Sequence, residues 1–184
     1  MSYFQQQYQR LQTHFLERKV TRTPIQRVPG DYASARKIGL LFDATDPERR
    51  PIVLQYAQSL KQKNKEVKLL AFYDAKQAQP NFTFKHFTQK ELNFWRHPSG
   101  SLVEDFIAQP FDILINLFFD AQAPLEYITA LSRAQLRVGP YSERTYCYDL
   151  MIENQSPDLP RFIKQVEFLL NKMNNSTPHE TTSV

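Results

Sequence analysis

The chain has 184 residues, 41% hydrophobic and 23% charged, with a formal net charge of +4. That length suits one packed domain and is short for two, and the balance is that of a globular chain, not a disordered or fibrous one. No run approaches the ~18–20 uninterrupted apolar residues of a membrane span, and the N-terminal segment interleaves Gln and His with its apolar positions, unlike a secretory signal.

Cys147 is the single cysteine, which excludes an intrachain disulfide and a thiolate metal cluster and makes a reducing, cytoplasmic setting the expectation. The positive charge is unevenly spread. Residues 1–37 carry Arg10, Arg18, Lys19, Arg22, Arg27, Arg36 and Lys37 against Glu17 and Asp31, a net of +5, which leaves −1 for residues 38–184. Attraction to an anionic partner is therefore expected to begin at this arm, with Arg18, Lys19, Arg22, Arg27, Arg36 and Lys37 as the anion-binding candidates.

In the arm, Phe4, Tyr8, Leu11 and Phe15 recur at spacings of four, three and four, which predicts an apolar stripe on a helix over about residues 2–19. Ser2 is placed to cap it, and Arg18 and Lys19 fall in the last turn, where cations favour the helix dipole. Such a stripe either docks on the body or lies on a membrane surface or a partner. Pro24, Pro29 and Gly30 break any period over 21–32, which predicts an irregular surface linker.

KIGLLFDA, from Lys37, suits a buried strand over 38–42, and TDPERRP supplies a turn. Residues 51–63 place Ile52, Val53, Tyr56, Ala57 and Leu60 on one helical face, and EVKLLAFYD follows as a second strand. This strand, helix, strand unit is expected to close as a right-handed parallel crossover. FTFKHF alternates like a short strand, QKELNFWRHPSG reads as a turn or short helix, and SLVEDFIA as one helix. FDILINLFF is a central-strand run, followed by a helix that starts at Pro124 and runs through Arg133, then by a strand in LRVGPY. CYDLMIE predicts a further strand. Residues 157–173 predict a closing helix with Leu159, Phe162, Ile163, Val166, Phe168, Leu169 and Leu170 on a wide apolar face. NNSTPHETTSV has little to bury and is expected to be disordered.

The expected fold class is α/β: a three-layer, Rossmann-like domain over 38–173 with a mostly parallel sheet. It is preceded by the basic amphipathic helix and linker over 1–37 and followed by a tail over 174–184.

Ligands of an open parallel sheet bind beyond the carboxyl ends of its strands. Asp43, Thr45, Asp46, Asp74, Asn116, Asp120, Tyr141 and Ser142 fall there and are the candidate ligand rim. Converging carboxylates at such a rim hold Mg²⁺ or the hydroxyls of a sugar or ribose, whereas dispersed ones cap helices and turns. The chain's four glycines form neither GxGxxG nor GxxxxGK[ST], so no nucleotide cofactor is expected. Arg49 and Arg50 either grip an anion or form a solvated helix start.

Cys147 opens an apolar segment and reads as a small buried hydrophobe. Ser142 in GPYSE lacks the GxSxG elbow. His86 and His97 lack zinc-pair spacing, so no metal site is expected. Phe94 and Trp95 serve either as a stacking platform or as core.

The run from KIGLLFDA through EVKLLAFYD, FDILINLFFD and LRVGPYSERTYCYDLMIE resembles a family of short uncharacterised α/β proteins from Bacteroidetes, which implies a compact α/β fold in a bacterial cytoplasm. FDILINL, the helix ending in LSRAQ, and LRVGPY also resemble the acceptor-side half-domain of heptosyltransferase-like enzymes, a similarity of about thirty residues that implies a shared architecture. Two function classes follow. One is a non-catalytic binding protein whose arm engages RNA, a ribosome or another polyanion through RKVTRTPIQR. The other is a small ligand-binding or enzymatic domain that uses the rim, distantly like a glycosyltransferase half-domain.

Overall fold

KIGLLFD, EVKLLAFY and ILINL carry apolar residues at consecutive positions, and a pleated strand sends such residues to both faces of its sheet. The computed structural model describes Leu16, Arg18, Arg27 and residues 32–74, 81–120, 122–154 and 156–174. The stripe residues Phe4, Tyr8, Leu11 and Phe15, the cations Lys19 and Arg22, and residues 175–184 lie outside the described residues.

The elements in chain order are β1 (Lys37–Asp43), α1 (Arg49–Gln62), β2 (Glu66–Tyr73), β3 (His86–Thr88), α2 (Ser101–Ala108), β4 (Ile113–Leu117), α3 (Ala123–Leu131), β5 (Leu136–Pro140), β6 (Leu150–Ile152) and α4 (Leu159–Asn174). The six strands form one sheet, parallel throughout, in the order β3-β2-β1-β4-β5-β6. This is the Rossmann-like arrangement, with the order reversing between β1 and β4. The register runs from Lys37↔Glu66 to Asp43↔Phe72 on one side of β1 and from Ile38↔Ile113 to Phe42↔Leu117 on the other.

Two cores sandwich the sheet. On one face, Ile38, Leu40 and Phe42 of β1 meet Val53, Ala57 and Leu60 of α1 and Phe162, Val166 and Leu170 of α4. On the other, Leu41, Leu70 and Leu114 meet Val103 and Phe106 of α2 and Leu125 and Ile128 of α3. Each fully buried Leu, Val or Phe contributes about 1.5–3 kcal/mol relative to exposure. Phe168, which the apolar pattern assigns to the inner face of α4, is instead 65% exposed. The inner face follows the 3–4 spacing of 159, 162, 166 and 170, and position 168 falls on the opposite side.

Three element boundaries differ from the pattern. In FTFKHF only His86–Thr88 pairs with β2; Phe82 and Phe84 stack on each other at 4.7 Å and pack on Tyr73 and Phe42. The alternation there serves an aromatic cluster, not a ladder. The Pro124 helix ends at Leu131, after which Ser132 turns extended and its hydroxyl accepts from the Ala134 N–H at 3.1 Å. CYDLMIE divides: Thr145–Cys147 is a 3₁₀ turn and only Leu150–Ile152 is strand.

The β5–β6 connection is short for a parallel crossover, which usually takes a dozen or more residues and a helix. It closes because the Tyr148 ring lies against Gly139 of β5, where a Cβ would stand 2.2 Å from the ring.

Candidate functional site

The carboxyl ends of the strands bring most of the predicted rim residues to one edge, where each has a distinct local task. Asp43 Oδ1 accepts the Thr45 N–H at 2.8 Å, and its Oδ2 accepts from Gln122 Nε2 at 2.9 Å. That second bond ties the end of β1 to the start of α3 across the point where the strand order reverses. Thr45 Oγ1 accepts the Asp74 N–H at 2.9 Å, and Asp74 takes a hydrogen bond from Gln89. Asp46 accepts the Glu48 N–H at 2.9 Å and pairs with Arg49 at 3.2 Å. Asp43 and Asp46 thus hold turns, as Asp does after a strand. Among the described residues no group of three or more His, Cys, Asp or Glu side chains is placed to hold a metal ion.

Arg50 spans the glycine-free β1–α1 turn. Its Nε donates to Ala44 O at 2.6 Å and its Nη2 to Thr45 O at 3.2 Å, with the guanidinium over the rings of Tyr73 and Phe82. Arg49 lies 5.5 Å from the Phe119 ring centroid. Both arginines are therefore engaged with the protein itself at the start of α1.

Asn116 is drawn away from the rim. It is fully buried in β4, where Nδ2 donates to Val138 O at 2.9 Å and Oδ1 accepts from Thr129 Oγ1 at 2.6 Å. The β4–β5 ladder extends to Ile115↔Val138, and the amide carries strand-to-strand bonding one residue further while anchoring α3. An Asn late in an apolar run looks like a rim residue in sequence, but the pleat turns it inward.

Asp120 and Tyr141 do stand together. With Phe119, Pro140, Glu153, Asn154, Ser156 and Pro157 they line a cleft of about 380 Å³ beyond the ends of β4, β5 and β6. Tyr141 is 65% exposed, and Ser142 beside it accepts the Arg144 N–H at 3.2 Å. Asn154 was missed by sequence reasoning: its Nδ2 and Oδ1 are both buried and neither has a hydrogen-bond partner. Nothing in the local sequence distinguishes it, because its isolation depends on the loop that leads into α4.

The arm's cations divide. Arg27 is folded onto the body, its Nη2 donating to Ser132 O at 2.9 Å, its Nη1 to Ala134 O, and its Nε 3.9 Å from Asp149. Burial, then the nearby Arg137, lower its pKa, and Asp149 partly opposes them. Arg18 is helical and exposed, and Arg36 and Lys37 are exposed at the amino end of β1, where both backbone N–H groups donate to Asp112. Leu16, which the stripe does not include, is buried with Ala130, Cys147 and Tyr148.

Arg137, Asp149, Glu126 and Arg144 form the polar centre that the sequence did not disclose. Arg137 Nε and Nη2 grip Asp149 at 3.0 and 2.8 Å, and its Nη1 donates to Tyr146 O at 3.0 Å. The buried Glu126 pairs with Arg144. Cys147 sits between these pairs, fully buried, and burial raises its thiol pKa to about 12 although Arg137 and Arg144 pull it down. A thiol held neutral in this way is a packing group.

His97 stacks on Tyr127 at 4.4 Å and His86 packs edge-on to Phe82 at 4.9 Å. Phe94 and Trp95 occupy an exposed turn, 80% and 39% accessible, closed by Asn93 N–H to His97 O at 3.0 Å.

Burial likewise raises Tyr32 to about 12 and lifts Tyr56 and Tyr148 well above the ordinary tyrosine value. With Cys147 they resist ionising in the folded state but ionise freely once unfolded, near their ordinary values of 9 to 10. Their contribution to stability is complete below about pH 9 and is lost as pH rises toward 12. A pH titration followed by tyrosinate absorbance and circular dichroism is expected to show Tyr32, Tyr56 and Tyr148 ionising only with cooperative loss of structure. Smooth ionisation of every tyrosine ahead of the dichroism change would refute this.

The chain belongs to a family of unknown function, DUF6913, whose model matches residues 9–173. No curated protein matches it. Among the described residues no helix is long and apolar enough to cross a membrane.

Proposed function

We propose that this protein binds a small, hydroxyl-rich ligand of sugar or ribose type in the cleft beyond β4, β5 and β6. The observation that carries this reading is Asn154, whose amide nitrogen and oxygen are both buried without partners in a cleft wall. A stranded buried polar group costs about 1–3 kcal/mol, which a ligand offering one acceptor and one donor recovers by drawing the amide into the cleft. Asp120 and Glu153 add carboxylates that accept from hydroxyls, and the exposed Tyr141 ring offers a face to the C–H side of a sugar. The cleft volume lies at the small end of ligand sites, roughly 300–1,000 Å³, and suits one ring.

The test is a thermal-shift and saturation-transfer survey of monosaccharides, polyols and ribonucleosides on wild type and Asn154→Leu. A ligand is expected to stabilise wild type and to bind the variant at least tenfold more weakly, while the ligand-free variant keeps or gains stability because the stranded amide is gone. Equal binding by both proteins, or no binding from the whole panel, would remove this function.

A second reading concerns the opposite end of the sheet. We infer that the arm engages RNA, a ribosomal surface or another polyanion through cations that the body does not sequester, a reading supported by the exposure of Arg18, Arg36 and Lys37. Because Arg27 and Leu16 are part of the packed body, charge reversal tests this better than truncation. Arg18→Glu combined with Arg36→Glu and Lys37→Glu is expected to abolish salt-sensitive RNA retention in a pull-down. Retention unaffected by the reversal, or absent from wild type at low salt, rejects the arm as the contact.

A further inference from the structure

The outer edge of β2 is only partly covered. β2 pairs with β1 along its length, but β3 covers only Ala71–Tyr73. The hydrogen-bond parity shows which backbone groups remain. Glu66 N–H donates to Arg36 O and Phe72 O accepts from Ala44 N–H, so the even-numbered residues bond β1, whereas Ala71 N–H donates outward to Lys85 O at 3.1 Å. Val67 and Leu69 share the outward parity of Ala71, and among the described residues their N–H and C=O groups have no backbone partner.

This edge forms the floor of a groove of about 850 Å³. Leu54 and Lys61 of α1 form one wall, and Leu102 and Phe106 of α2 the other, with Phe84 and Lys85 at the β3 end. Unpaired edge backbone is a template for one more strand. The two flanking helices decide what kind. A second copy would bring its own α1 and α2 towards these walls, whereas a single extended chain needs only the space between them. The uncovered stretch of β2 gives it room for about five residues at ~3.3 Å each.

We propose that this groove, which is separate from the rim cleft, docks an extended peptide of alternating apolar and acidic residues by strand addition. Backbone pairing to Val67 and Leu69 supplies the alignment. Successive side chains of an added strand point to opposite faces, so one wall takes the apolar side chains and the other the acidic ones, and charge sets the preference: Lys61, Lys68 and Lys85 line the groove against a single carboxylate, Asp105. Lys68 Nζ already donates to Gln109 at 2.7 Å, which leaves Lys61 and Lys85 as the cations that read the peptide.

Fluorescence anisotropy with labelled seven-residue peptides on the full chain tests this. A Val/Glu alternating peptide is expected to bind at least tenfold more tightly than its Val/Lys counterpart. Lys61→Glu with Lys85→Glu is expected to reverse that order. N-methylation of alternate amides supplies a control that leaves the protein unchanged: methylation on one parity should cost at least tenfold and on the other little, as only one set of amides faces β2. Equal effects of the two parities, no preference for acid, or a dimer that excludes the peptide in sedimentation would each overturn the proposal.

Discussion

Asp149→Ala is expected to lower the unfolding free energy by about 3 kcal/mol, measured as a shift of the urea midpoint at constant slope. Asp149 accepts from the Nε and Nη2 of Arg137 and from its backbone N–H at 2.8 Å. The Arg137 side chain is only 7% exposed and the Asp149 side chain 25%. Removing one partner strands a buried guanidinium, an error worth about 3–5 kcal/mol when burial is complete; the residual exposure of Asp149 places this site at the low end. Arg27 loses its nearest carboxylate at the same time, so trypsin should cut at Arg27 faster in the variant. Arg137→Met combined with Asp149→Ala should recover much of the loss, because the buried guanidinium is then removed together with its carboxylate. A loss below about 1 kcal/mol for the single variant would mean that the pair behaves like an exposed ion pair.

Gly139→Ala is expected to cost about 3 kcal/mol, the upper end of the range for overpacking, which for a chain of this size is roughly 6–12 °C in Tm. The added Cβ would lie 2.2 Å from Tyr148 Cε1 and 2.7 Å from Cδ1. The ring has little room to retreat, being buried against Leu16, Ala130 and Cys147, while the next residue is held by Arg137. Gly39→Ala provides the comparison: its Cβ would approach Phe111 and Leu114 at 2.9–3.0 Å, a milder intrusion with a smaller expected loss. If the two substitutions proved equal by calorimetry, the seating of Tyr148 on β5 would not be what closes the short β5–β6 crossover.

Where the apolar period was unbroken, elements were legible in the chain. KIGLLFD, EVKLLAFY, SLVEDFIA and ILINL each become the element their pattern predicts, because burial on one or both faces leaves a periodic mark on residue type. FTFKHF and CYDLMIE misled in the same manner. Their apolar residues are selected by packing partners distant in sequence, Phe42 and Tyr73 for the first and Gly139 for the second, and local alternation cannot tell a ladder from an aromatic cluster.

The candidate site was legible in location and not in roles. Strand ends placed Asp43, Asp46, Asp74, Asp120 and Tyr141 at one rim, since the sheet is parallel and its carboxyl ends coincide. Whether a carboxylate there holds a turn or lines a cleft depends on which N–H groups lie within about 3 Å of it. Asp43 is taken by Thr45 and Gln122, whereas Asp120 lines the cleft with Asn154.

Composition and periodicity by themselves determined the α/β layered fold and the net charge of +5 in residues 1–37, because burial and charge are recorded in residue type along the chain. Tertiary structure alone decided that Arg27 belongs to the body, that Asn116 turns inward, that Asn154 is stranded and that the edge of β2 is open. Those outcomes depend on pairings between residues far apart in sequence, and such a pairing exists only once the strands are in register.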